Sequence, residues 1–207
     1  MAGINQIQVN PKAGLTFASA LRSILRADPD IILIGEIRDR ETAMIAVESA
    51  LTGHLVLSSL HTNDAPSAIT RLTEMEVETF LVASALDCVV AQRLARKLCE
   101  KCKQPYTPDT AELVEAGYEE RQLEEVKELY HPVGCQYCAN TGYRGRMGLY
   151  EVMPMSEEIE RLTVDRASSE AIRAVALEQG MIELRADGLM KAAQGLTSIE
   201  EIARVVK

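Results

Sequence analysis

Four cysteines, a glutamate and a histidine carry most of the chemistry legible in this sequence. Cys99-Glu-Lys-Cys102 and Cys135-Gln-Tyr-Cys138 are two C-x-x-C pairs with 32 residues between them. Each pair turns tightly enough to aim two thiolates at one point, and two such pairs supply the four soft ligands of a tetrahedral zinc tetrathiolate site. A closed four-thiolate site needs no redox chemistry, which suits Zn2+ better than the iron alternative. Structural disulfides and a redox dithiol are the competing readings. Disulfides are disfavoured in a cytosolic chain, and a dithiol needs only one pair. A fifth cysteine, Cys88, lies in the apolar stretch Ala85–Val90 and is expected to be a buried, inert thiol.

Glu36 closes the run Asp30-Ile31-Ile32-Leu33-Ile34-Gly35-Glu36. A carboxylate delivered by the C-terminal edge of an apolar parallel strand lies where open α/β sheets bind ligands, and there it can serve as a water-activating base beside a phosphate. The plainer alternative is an ordinary exposed glutamate paired with Arg38. His61 presents the same pattern after Leu55-Val56-Leu57-Ser58-Ser59-Leu60. Two strands ending in Glu and His converge on one sheet edge, which strengthens both assignments. His54 starts its strand at the opposite edge and is expected to be structural. His131, before Pro132, is expected to be structural as well or to lie near the metal. No Gly-rich phosphate loop of the form G-x-x-x-x-G-K-S/T occurs in the 207 residues.

The elements that must position these groups follow from periodicity. Thr16–Arg26 carries an apolar stripe at Phe17, Leu21, Ile24 and Leu25, and Asp28-Pro29 stops that helix. Ile31–Ile34 reads as a parallel strand covered on both faces. Asp39 caps a helix through Ala50, with Gly53 at its stop. His54–Leu60 reads as a second buried strand. Asn63 or Asp64 then caps a helix that tolerates Pro66 in its first turn, and Val77–Val89 reads as a further helix. This alternation is that of a doubly wound α/β sheet. A polar helical insert is expected near 109–130 and a strand at Met147–Met153. Helices follow, the last introduced by a Thr197-x-x-Glu200 capping box.

Composition limits the function classes. Hydrophobic residues make up 47% of the chain, enough for a packed core, and no apolar run approaches the ~20 residues that span a bilayer. The N-terminus lacks a signal-peptide pattern, so the chain is read as cytosolic, and it begins abruptly, as though cut from something longer. The formal net charge of −9 argues against broad attraction to nucleic acid or anionic lipid. Two local features stand out: a basic cluster of Arg93, Arg96, Lys97, Lys101 and Lys103, and the glutamate-rich segment Glu112–Glu128.

Several motifs together resemble the ATPases of type II secretion and type IV pilus assembly. They are Leu15-Thr16-Phe17 through Arg26, Asp28–Asp39, Thr52-Gly53-His54 through Asp64, Ala91-Gln92-Arg93-Leu94, the tetracysteine module, and Gly145-Arg146-Met147-Gly148-Leu149-Tyr150-Glu151-Val152-Met153. Asp187-Gly188-Leu189-Met190 and Gln194-Gly195-Leu196-Thr197-Ser198 are most similar to the pilus-assembly branch. The resemblance implies a partial RecA-like P-loop NTPase core lacking its P-loop half, with a four-cysteine zinc insert and a helical C-terminal subdomain. The expected divisions are residues 1–98, 99–145 and 146–207. It further implies that Gly35-Glu36 is the Walker B motif and that His61 belongs to a His box touching the γ-phosphate of ATP. Mg2+ would then be held largely by nucleotide and P-loop, since Gly35 stands where many P-loop enzymes carry an Mg2+-linked Asp. The family's P-loop, Asp box, trans-acting arginines and N-terminal domain would lie upstream of Met1, so this chain alone is expected to be inactive.

The same resemblance implies a cytoplasmic hexamer peripheral to the inner membrane, working on a membrane platform protein, with no specific nucleic acid. A different class of function stays open: a non-catalytic zinc-ribbon module that docks a protein or nucleic acid through the basic cluster.

Overall fold

A computed structural model describes residues 3–206. In chain order its elements are α1 (Phe17–Leu25), β1 (Ile31–Ile34), α2 (Arg40–Leu51), β2 (Leu55–Ser58), α3 (Pro66–Glu74), α4 (Thr79–Ala85), β3 (Cys88–Leu98), β4 (Gln104–Tyr106), α5 (Thr110–Ala116), α6 (Glu120–Leu123), β5 (Leu129–His131), β6 (Tyr143–Pro154), α7 (Glu157–Val164), α8 (Ser169–Glu178), α9 (Leu184–Ala193) and α10 (Ile199–Val205). They form two compact units. One comprises the chain up to Val89 together with Met153–Gln179, the other Val90–Val152 together with Gly180 onward. β3 and β6 pair with each other, and each runs across the boundary.

In the first unit β1 and β2 are parallel neighbours, in register from Ile31 opposite Leu55 to Ile34 opposite Ser58. Ile32 and Ile34 are buried, as are Ala18 and Leu21 of α1 and Ala43 and Ala46 of α2. Small residues let α1 and α2 pack closely, and α4, α7, α8 and α3 extend the layer through successive contacts. Helix starts are fixed as side-chain chemistry requires. Thr16 forms a reciprocal capping box with Ser19, and the Asp39 carboxylate accepts from Thr42 N at 2.8 Å.

The expectation of strands covered on both faces is corrected. Ile31 and Leu33 are 62% and 73% exposed, and Leu55 and Leu57 are 48% and 46% exposed. Side chains alternate across a strand, and among the described residues helices cover only one face of this pair. The second strand is also shorter than expected, Leu55–Ser58 rather than His54–Leu60. The helix expected over Val77–Val89 stops at Ala85, because β3 begins at Cys88; there the thiol is exposed rather than buried. That strand alternates, burying Ala91 and Ala95 and exposing Val90 and Leu94. The later strand extends beyond Met147–Met153 to Tyr143–Pro154.

The second unit packs Leu113, Tyr118, Leu129, Leu189 and Ala192 into one cluster, with the Tyr118 hydroxyl donating to Leu189 O at 2.9 Å. The insert is only partly helical: β4 and β5 pair antiparallel, Gln104 opposite His131. The expected Thr197-x-x-Glu200 capping box does not form, and the cap lies one residue further on. Ser198, not Thr197, accepts from the first turn of α10, through Glu201 N at 3.3 Å, while Thr197 donates to Arg96 O. The Glu201 side chain takes on another task. Its fully buried carboxylate accepts from Arg96 N at 2.8 Å, Arg96 Nε at 2.9 Å and Arg204 Nε at 2.7 Å. The Arg96 guanidinium lies over the Tyr143 ring, 4.1 Å from its centroid. Burial works against ionisation of Glu201, but the donors from Arg204 and Arg96 outweigh it and hold its pKa at about 2.

Candidate active site and metal centre

At the C-terminal ends of β1 and β2 the two strands are laced together by serines. Ser58 Oγ donates to Ile34 O at 3.1 Å, Ser59 Oγ donates to Gly35 O at 2.8 Å, and Ile37 N donates to Ser59 O at 3.0 Å. Gly35 lies against Phe17, whose ring would sit 3.4 Å from a Cβ at that position. This lacing carries Glu36 and His61 past the strand ends side by side. His61 Nε2 stands 3.2 Å from Glu36 Oε2, and Arg38 Nε stands 2.6 Å from the same oxygen. The hydrogen bond from Arg38, against some burial and with help from His61, holds the Glu36 carboxyl below its ordinary value. An ionised carboxylate beside an imidazole, at the edge where parallel strands end, can orient and deprotonate a water.

The four cysteines converge as their spacing requires. Their Sγ atoms all lie within 4.8 Å of one another. Cys99 and Cys135 are 3.9 Å apart; Cys102–Cys138 and Cys135–Cys138 are each 3.8 Å apart. Ligands ~2.3 Å from a tetrahedral metal would stand about 3.8 Å from one another, so the donor set fits a thiolate-bound ion. Backbone amides support thiolate charge: Gly134 N donates to Cys102 Sγ at 3.3 Å, and Cys135 N and Gly142 N each donate to Cys138 Sγ at 3.2 Å. Glycine is required at position 142, where φ is +75° and a Cβ would lie 2.9 Å from the Pro132 carbonyl carbon.

The matched family model, described as type II/IV secretion system protein, spans residues 1–204. This chain belongs to that family. It is 52% identical to the type IV pilus assembly ATPase PilB of Thermus thermophilus over 206 residues, which is 99% of this chain and 23% of the relative. It is 47% identical to PilB of Pseudomonas aeruginosa, covering 100% of this chain and 36% of the relative. Identity to the type II secretion system ATPase E of Vibrio cholerae is also 47%, over 99% of this chain and 40% of the relative. The chain therefore spans well under half the length of these curated relatives. Among solved structures, the pilus retraction motor PilT with bound ADP matches with a TM-score of 0.62 at 25% identity, covering 91% of this chain and 43% of that one. The Legionella pneumophila ATPase DotB matches in fold, with a TM-score of 0.63 at 22% identity over 98% of this chain and 47% of that one. The fold is that of an α/β ATPase.

In this secretion-family chain the other sequence candidates fall outside both constellations. The His54 ring meets Ser49 O through Nδ1 at 2.9 Å, at the end of β2 opposite Glu36. His131 stacks on Tyr106 at 3.7 Å and is not among the described groups that could hold a metal. The basic cluster is partly engaged in structure. Arg96 serves Glu201, and Lys103 pairs with Glu100 at 2.9 Å and donates to Gly195 O. No helix among the described residues is long and apolar enough to cross a membrane. What the sequence did not reveal is the role of Ser58 and Ser59. Neither bears charge or periodic signal, and only the pairing register brings them to the carbonyls of Ile34 and Gly35.

Proposed function

We propose that this chain is the portion of a pilus-assembly or type II secretion ATPase that supplies the water-activating carboxylate and a structural zinc module. In this reading Glu36 orients and deprotonates the attacking water, and His61 contacts the γ-phosphate of ATP. Gly35 leaves the backbone close to the nucleotide, and Arg38 holds the carboxylate ionised until nucleotide arrives. Mg2+, bound with the nucleotide, neutralises phosphate charge. The phosphate cradle comes from outside these residues, since none of them forms a Gly-rich loop with lysine. Residues 1–98 carry the catalytic edge, 99–145 the zinc module through Cys99, Cys102, Cys135 and Cys138, and 146–207 a mostly helical remainder that opens on the second part of β6. The working state is a cytoplasmic hexamer at the inner-membrane face, coupling turnover to a platform protein.

The observation that carries this reading is the approach of His61 Nε2 to Glu36 Oε2 across two parallel strand ends. The test is ATP turnover by this chain supplied with the P-loop segment of a PilB relative. Glu36→Gln is expected to lower turnover by about 100-fold or more while nucleotide binding persists. Turnover indifferent to Glu36→Gln, or turnover by the 207-residue chain alone, overturns it.

A second reading has one observation in its favour. The exposed Tyr137 ring is flanked by Lys101 Nζ at 4.1 Å and the Arg144 guanidinium at 3.8 Å, a cation–aromatic surface on the metal module. A non-catalytic zinc-ribbon docking module would use it. A nucleic-acid gel shift by the isolated chain that weakens steeply with salt would favour that reading.

A further inference from the structure

The turn His61-Thr62-Asn63-Asp64 leaves β2 and enters α3, and the Asp64 carboxylate ties it to two helices of the first unit. Asp64 Oδ1 accepts from Ser67 N at 2.9 Å, which fixes the first turn of α3. Asp64 Oδ2 accepts from Arg173 at 2.6 Å, from a helix 109 positions further along the chain. The carbonyl of Asp64 accepts from Thr62 Oγ1 at 3.2 Å, tying the residue after His61 into the same knot. A helix cap needs only one carboxylate oxygen. The second oxygen, held by a guanidinium, selects the rotamer of Asp64 and with it the path of the turn. Arg173 is itself firmly placed. Its neighbour Ile172 and also Ala176 are buried, α8 packs on α3 and α7, and the two ion-pair side chains are only 31% and 20% exposed.

We infer that Arg173 is a positioning residue for His61, acting through Asp64 so that α8 sets where the imidazole stands relative to Glu36. The inference rests on His61 being the nucleotide-facing group. It adds that a helix far along the sequence governs the geometry of that group. The plainer alternative is a staple, in which the Asp64–Arg173 pair merely joins α3 to α8.

The test is NMR of the full 207-residue chain. Arg173→Gln is expected to reduce the cross-relaxation between the His61 ring and the Glu36 side chain by about twofold or more and to shift the Thr62 and Asn63 amides, because a loosened support displaces a site by the margin that matters. Asp64→Asn keeps the cap to Ser67 but removes the charge that Arg173 grips, and is expected to reproduce the displacement. Arg173→Lys should restore most of the cross-peak. Amide protection across α3 and α8 should stay within the wild-type range throughout. An unchanged His61–Glu36 cross-peak in Asp64→Asn overturns the inference, and it decides alone if Arg173→Gln fails to fold. Loss of α3 and α8 protection in step with the cross-peak also overturns it, in favour of the staple. No turnover enters this readout, so a catalytically indifferent Glu36→Gln would remove the function proposal and leave this result standing.

Discussion

Arg38 Nε stands 2.6 Å from Glu36 Oε2, the same oxygen that faces the imidazole of His61. The carboxylate proposed as the base is therefore held from two sides, and its strongest partner is two residues away on its own loop. Arg38 is the largest cause of the lowered Glu36 pKa. Arg38→Ala should consequently raise that pKa toward the ordinary carboxylate range. A pH titration followed on the Glu36 side-chain carbon resonances would show it; an unmoved midpoint would mean that His61 alone sets the charge.

The cysteine cluster predicts close to one equivalent of tightly bound metal in the purified chain, with zinc as the ion found by elemental analysis. Cys135→Ser removes one of four ligands and should drop metal content severalfold, with a lower melting temperature, since metal binding and folding of such a module are linked. A strong chelator should reproduce the loss of stability. Metal content well below one equivalent in freshly purified protein would refute the site.

Glu201 is the most consequential buried charge in the second unit. Glu201→Gln removes the negative charge that Arg96 and Arg204 share and should destabilise by about 3–5 kcal/mol, read from denaturant unfolding. The pH dependence has a definite sign. The folded pKa of about 2 lies below the ordinary value of 4.5, so the unfolded chain binds the extra proton between these two. The contribution is full above about pH 4.5 and is lost as the pH falls toward 2. Acid titration of Glu201→Gln should show a shallower loss than the wild type.

The two faces of β1 predict opposite mutational outcomes at adjacent positions. Ile32→Ala empties a packed position and should cost about 2–5 kcal/mol. Leu33→Ser, on the open face, should change stability by no more than ~0.5 kcal/mol and reduce self-association in sedimentation. Equal costs at the two positions would show that the open face is covered in solution.

The parts of this fold that depend on local chemistry were legible in the sequence. Asp39 as a cap, a cap at Asn63 or Asp64, and the strand over Ile31–Ile34 follow from residue type and short-range spacing; Asp39 and the strand are found, and of the pair it is Asp64 whose carboxylate accepts from the first turn of α3, through Ser67 N. The cysteine cluster was legible because two C-x-x-C pairs leave few other arrangements. What was hidden depends on pairing partners. The apolar run of β1 reads the same whether one face or two are covered, so the exposure of Leu33 had no signature. The start of β3 was hidden because Ala85–Val90 is an apolar run too short to separate helix from strand. Glu201 was hidden because its partner, Arg96, lies 105 positions earlier; locally the glutamate looked like an ordinary helix-face residue beside a capping box.

That same separation has a consequence for how the molecule is made. Each unit is assembled from two stretches of sequence, and the chain passes between them three times, in β3, in β6 and between α8 and α9. A ribosome halted before residue 201 would present Arg96 with no buried acceptor, and one halted before α8 would leave Asp64 without its guanidinium. Closing such long loops is entropically slow relative to forming the individual helices. Neither unit can reach its final state before its second stretch of sequence has been made. Until α8 and α10 emerge, the aliphatic strands of the nascent chain are held in an open intermediate, accessible to chaperones.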